Sequence, residues 1–133
     1  MTEAVPAPVW PKGIAAITLF VSDLGSARAF YQNFFGLTVI FEDPVSVVFK
    51  LGGSFLNLLH VSAADELVSP AQVASAGVGA RFVLTIEVED VDAKCAELAS
   101  RGVTLLNGPI DRPWGIRTAS FTDPDGYIWE IAK

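Results

Sequence analysis

Cysteine and histidine are nearly absent from this chain: Cys95 and His60 are the single instances in 133 residues. A lone cysteine excludes an internal disulfide and suits a reducing compartment, so a cytoplasmic location is expected. Zinc, iron and nickel centres favour imidazole or thiolate, and one histidine cannot supply a two-histidine, one-carboxylate triad within one chain. Basic residues are also few, with 9 Lys and Arg against 15 Asp and Glu, a formal net charge of −6. Such acidity argues against nucleic acid and mildly favours cationic partners. No apolar run nears the ~18 residues that span a membrane. The opening MTEAVPAPVWPKG lacks the basic-then-apolar order of a signal peptide. Its prolines predict an extended arm over residues 1–12.

Apolar material is plentiful: 51% of the residues are hydrophobic and 18% charged, enough for one packed domain over residues 13–133. The chain also repeats itself. AAITLFVSDLGSARAFYQNFFGLTVI (15–40) resembles FVLTIEVEDVDAKCAELASRGVTLL (82–106), each reading as strand, Asp, helix, Gly, strand. Asp23 and Asp90 are suited to cap the helices, and Gly36 and Gly102 to end them. Ala27, Phe30, Tyr31, Phe34 and Phe35 recur at helical spacing, as do Val91, Cys95, Leu98 and Ala99, so Cys95 reads as a core residue. Two more strands follow in each half, and GSFLNLL (53–59) aligns with GYIWEIA (126–132), setting Asn57 opposite Glu130. DPDG (123–126) fits a type I turn, and Ser69-Pro70 can open a short helix in the connection. The expected architecture is α+β: tandem βαβββ modules at about 13–62 and 81–133, joined by a linker at about 63–80.

The doubled βαβββ order, VSDLGSARAFYQNFFGL and the terminal WGIRTASFTDPDGYIWEI together resemble the vicinal oxygen chelate superfamily. That group includes glyoxalase I, extradiol dioxygenases, and fosfomycin- and bleomycin-resistance proteins. The resemblance implies curved sheets forming a cleft, often in a homodimer, and a divalent metal held at four strand positions. Those positions fall here on Ala16, Asn57, Val83 and Glu130. Glu130 is a good ligand, Asn57 a weak one, and Ala16 and Val83 offer no donor atom. No cofactor is therefore expected, although a divalent metal in a shifted, all-oxygen site stays open.

Strand alternation predicts the cleft lining. Ile17, Leu19 and Val21 face one way, with Leu84, Ile86 and Val88 their equivalents; Ala16, Thr18, Phe20, Val83, Thr85 and Glu87 face the other, with Glu87 at the rim. Phe55, Asn57 and Leu59 join the cleft from one module, Ile128 and Glu130 from the other, and His60 points away. Trp114 reads as a stacking surface or a structural edge, and Thr18 and Thr85 as hydrogen-bond donors. Arg117 reads as a partner for Glu130, an anion-binding residue or an exposed charge. A carboxylate in an apolar cleft requires a partner or stays protonated. With few metal ligands, the partners for Glu130 are Arg117, Asn57, water or a cationic ligand. The expected function is metal-free binding of a small molecule, aromatic or cationic, by a homodimer that sequesters an antibiotic or metabolite. The alternative is an enzyme of this fold (lyase, isomerase or dioxygenase) using a metal or Glu130 as acid–base.

Overall fold

A computed structural model describes residues 5–9 and 13–133. Residues 5–9 are exposed and carry no regular structure; the rest of the expected arm lies outside the described residues. The first module runs β1 (Ala16–Val21), α1 (Leu24–Asn33), β2 (Val39–Glu42), β3 (Ser46–Leu51) and β4 (Ser54–His60). A 3₁₀ turn and the short α2 (Ala64–Val68) follow. The second module runs β5 (Val83–Glu87), α3 (Val91–Ser100), β6 (Leu105–Asp111), β7 (Arg117–Thr122) and β8 (Ile128–Ala132). Each makes a four-stranded sheet, ordered β1-β4-β3-β2 and β5-β8-β7-β6, with the β1–β4 and β5–β8 pairs parallel. This is the expected α+β tandem βαβββ fold.

Local signals account for the element ends. The Asp23 carboxylate accepts from Ser26 N and the Asp90 carboxylate from Ala93 N, so both helices are capped as their sequences predict. Gly36 and Gly102 have φ of 67° and 90°, the left-handed region that side chains avoid. Gly126 N donates to Asp123 O across the DPDG turn. Two expectations differ. The short helix precedes Ser69-Pro70 rather than following it, because Ser69 takes extended ψ of 138° and closes α2. Ala99 is exposed, and Val91, Cys95 and Leu98 alone carry the buried face of α3. Cys95 sits in the core, where burial pushes its thiol up.

Both modules share one core. Leu56, Leu58, Val47 and Phe49 face it from the first sheet; Phe121, Trp129, Ile131 and Ala119 face it from the second. Helix α1 lies between the two. Tyr31 meets Phe49 at 6.2 Å on one side and Trp129 at 5.9 Å on the other, and Phe35 meets Phe121 at 5.8 Å. A buried polar trio pins the helix there: Tyr31 Oη donates to Asp123 Oδ2 at 2.6 Å, and Trp129 Nε1 donates to Tyr31 Oη at 3.0 Å. Burial and the Asp123 charge push the Tyr31 hydroxyl far above its ordinary value, so it stays a donor. Burial also raises the Asp123 carboxyl, against the opposing pull of bonds from Tyr31, Tyr127 N and Asp125 N.

Arg117 belongs to this helix-covered side. By alternation it shares a face with Ala119 and Phe121, so it does not meet Glu130 as one reading of the sequence had it. Its guanidinium instead grips Asp92 of α3 through two bonds and Asp111 of β6 through a third. The Arg117 bond holds the Asp92 carboxyl below its usual range.

Tyr31→Phe leaves Trp129 Nε1 without an acceptor and takes a donor from Asp123, so urea unfolding should show a loss of about 2–4 kcal/mol. A loss below about 0.5 kcal/mol contradicts the pinning role. Arg117→Met and Glu130→Gln should be additive in stability, whereas Arg117→Met and Asp92→Asn should be non-additive. The reverse pattern would restore an Arg117–Glu130 pair.

Candidate functional site

Because helix α1 and the shared core occupy the space between the sheets, alternation turns Asn57 and Glu130 onto outward faces. On the second sheet, Thr85, Glu130, Ser120 and Asn107 stand side by side across all four strands in register. Thr85 Oγ1 donates to Glu130 Oε1 at 2.9 Å, and Ser120 Oγ donates to Asn107 Oδ1 at 3.1 Å. Arg112, in the turn after β6, completes the row. Its Nε donates to Thr118 Oγ1 at 2.8 Å and its Nη2 to Asn107 Oδ1 at 3.2 Å. Thr118 and Ser120 share the Glu130 side of β7, so the guanidinium lies on that face. Thr118 is fully buried although it belongs to an outward row.

Gly108 lets this arrangement form. Its φ is 91°, and an added Cβ would come within 2.6 Å of Ala119 Cα and Thr118 O. The register of β6 shifts on both sides of Asn107. These irregularities hide Asn107 and Arg112 from an alternation count. Ser120 is different: it lies three residues after Arg117 and opposite Glu130, so parity alone could have found it.

On the first sheet, Thr18, Asn57 and Val48 form the matching row, with Ala16 and Phe55 on one side and Phe20 and Leu59 on the other. Asn57 Nδ2 makes a long 3.4 Å bond to Thr18 Oγ1, and its buried Oδ1 has no partner among the described residues. Phe55 remains 43% exposed and Val83, on the second sheet, 51%. His60 points off this face and bonds Ser62 Oγ and the Ser22 carbonyl. Trp114 projects from the β6–β7 turn at 68% exposure.

The predicted lining residues thus fall into two groups. Ala16, Thr18, Phe20, Phe55, Asn57 and Leu59 lie on one outward face. Val83, Thr85, Glu87, Ile128 and Glu130 lie on the other. The faces come together at one corner, where Phe20 N donates to Tyr127 Oη and Tyr127 Oη donates to Phe20 O. An 820 Å³ cavity opens there against the 72–82 segment, lined by Phe20, Phe82, Leu106, Tyr127 and Ile128. Neither Asn57 nor Glu130 borders it.

The metal-ligand positions implied by the resemblance do not fit a metal. Ala16 and Val83 carry no donor atom, Asn57 offers one amide oxygen, and Glu130 is already hydrogen-bonded by Thr85. Among the described residues no three His, Cys, Asp or Glu side chains converge on a common point.

Comparison with known proteins gives a consistent result. Residues 13–131 match the Glyoxalase/Bleomycin resistance protein/Dioxygenase superfamily. The chain is 32% identical over 121 residues to the uncharacterised protein YraH of Bacillus subtilis (strain 168), covering 88% of this chain and 94% of that one. It is also 32% identical over 107 residues to the mitochondrial methylmalonyl-CoA epimerase of Bos taurus, covering 75% of this chain and 61% of the epimerase. A solved glyoxalase/bleomycin resistance protein/dioxygenase structure from Nocardioides superposes with a TM-score of 0.84 at 25% identity, covering 94% of this chain and 85% of that one. The doubled βαβββ architecture and the match over residues 13–131 place this chain in the Glyoxalase/Bleomycin resistance protein/Dioxygenase superfamily.

Proposed function

We propose that the protein binds a small molecule without a metal, in a cleft that two copies build together. The carrying observation is the donor set: at the four positions where a metal shell is implied stand Ala16, Asn57, Val83 and Glu130, and two of these have no ligand atom. What remains suits recognition. Phe20, Phe55, Leu59 and Ile128 supply apolar walls, and Thr18, Asn57, Thr85 and Glu130 supply a few fixed polar groups, a usual make-up for a small-molecule site.

A second copy is needed because one chain directs its two half-sites outward. Laying the Asn57 face of one chain over the Glu130 face of another encloses a cleft and covers Phe55 and Val83, which are exposed alone. A two-fold pair makes two such clefts. The buried Asn57 Oδ1 would then find its donor on a ligand or on the facing chain. Sequestration of an antibiotic or metabolite requires only this shape and affinity. With a net charge of −6 and Glu130 in each cleft, an aromatic molecule carrying a cationic or hydrogen-bond-donating group fits.

A second reading is favoured by the 32% identity to methylmalonyl-CoA epimerase. Epimerisation moves a proton, and Glu130, oriented by Thr85, is a carboxylate placed for general acid–base work. Incubating bound ligands in D₂O and following deuterium uptake by NMR separates the readings. Binding alone gives no uptake; an enzyme gives uptake that Glu130→Gln abolishes.

Calorimetric titration of aromatic and cationic antibiotics into protein purified without chelator should show sub-millimolar binding at one ligand per chain, with no stoichiometric metal by elemental analysis. Stoichiometric zinc, nickel, iron or manganese would overturn the metal-free reading. A panel with no binding tighter than millimolar would overturn sequestration.

A further inference from the structure

We infer that Arg112 is an anion-recognising residue of the cleft, so that the ligand carries a carboxylate or a similar oxyanion at the end opposite Glu130. The inference rests on the cleft reading above and adds a chemical class to it. Three other arginines of the chain are matched with carboxylates: Arg28 with Glu42, Arg101 with Glu97, and Arg117 with Asp92 and Asp111. Arg112 is not. Its hydrogen bonds go to a threonine hydroxyl and an asparagine carbonyl, both neutral, and it makes no ion pair among the described residues.

The geometry is that of a prepared anion site. A guanidinium has five N–H donors in a rigid plane, and the bonds to Thr118 and Asn107 use two of them to fix its orientation. The Asn107 carbonyl is held in turn by Ser120 Oγ, so the support is itself positioned. The remaining N–H groups are left for a two-pronged bond to an oxyanion. Neutral anchoring keeps the positive charge uncompensated, whereas a carboxylate anchor would have cancelled it.

Arg112 sits at one end of the outward row and Glu130 near the other. Asn107 and Glu130 are two strand spacings apart, roughly 10 Å. A ligand lying across the row therefore meets a cation at one end and a carboxylate at the other. It would pair an oxyanion with Arg112 and a cationic or hydrogen-bond-donating group with Glu130, its apolar body resting between them. This bipolar demand distinguishes the ligand from a purely cationic one.

The minimal probes are acetate and inorganic phosphate, titrated at constant ionic strength against chloride while ¹H–¹⁵N spectra are recorded. Wild-type protein should show saturable shifts at the Asn107, Thr118 and Ser120 amides. Arg112→Gln should weaken both anions about tenfold, the loss of a charge-assisted pair. Arg112→Lys retains the charge but not the fork, and should give an intermediate loss that reports on the site even if the glutamine variant fails to fold. Arg81→Gln, in the 72–82 segment, should change nothing. Undiminished shifts in both Arg112 variants, shifts centred on Arg81, or no saturable shift in wild type would overturn the inference. Panel binding without anion shifts removes this inference alone. Anion shifts without panel binding leave the Arg112 site standing and remove sequestration.

Discussion

The hydrogen-bonded trio of Tyr31, Asp123 and Trp129 sets the relation between the two halves of the molecule. Tyr31 comes from the first module's helix, and Asp123 and Trp129 come from the second module's last hairpin. All three are buried: the Tyr31 hydroxyl, Trp129 Nε1 and Asp123 Oδ2 find their partners in one another, and Asp123 Oδ1 accepts from Asp125 N and Tyr127 N, whereas a polar atom left unsatisfied there costs about 1–3 kcal/mol. That requirement places α1 between the sheets and makes their helix-facing sides one core. The orientation of the two implied ligand positions that carry polar side chains follows from it. Once the apolar faces turn inward upon α1, Asn57 and Glu130 can only turn outward.

Features that depend on neighbours along the chain were legible in the sequence. The Asp23 and Asp90 caps, the positive-φ glycines and the separation of Leu19 from Thr18 all rest on local geometry. The docking of one module on the other was not legible, because it depends on contacts such as Tyr31 with Asp123, 92 residues apart. Arg117 lies between these cases. Its parity with Ala119 and Phe121 signals the core side, but the attraction of opposite charges suggested Glu130 instead. Asn107 and Arg112 were hidden for another reason. The β6 segment shifts register around Asn107 and approaches β7 closely at Gly108, so alternation could not predict which way their side chains point.

The site combines ligand positions that do not fit a metal with a hydrogen-bonded polar row. Ala16 and Val83 remove two of four ligands, yet Glu130 is held by Thr85 and faces a line of hydrogen-bonded groups ending in Arg112. The proposed reading is that this surface serves selective binding, since its fixed donors and acceptors hold one another in place and leave a few directed groups for a ligand. Under the proposed function, the same surface in one chain is half a cleft. Membership of the Glyoxalase/Bleomycin resistance protein/Dioxygenase superfamily accounts for the fold. In the proposed reading, the chemistry depends on Ala16, Asn57, Val83 and Glu130 and on what a facing chain brings.

Cross-linking between chains tests that dependence most directly. In a background with Cys95 replaced by alanine, chains bearing Asn57→Cys are mixed with chains bearing Glu130→Cys and treated with a short bifunctional maleimide. The account predicts a covalent dimer joining the two kinds of chain in the mixture, and no internal link in a single chain bearing both cysteines. An internal link in the double variant, with none between the mixed chains, would contradict it and place the cleft within one chain.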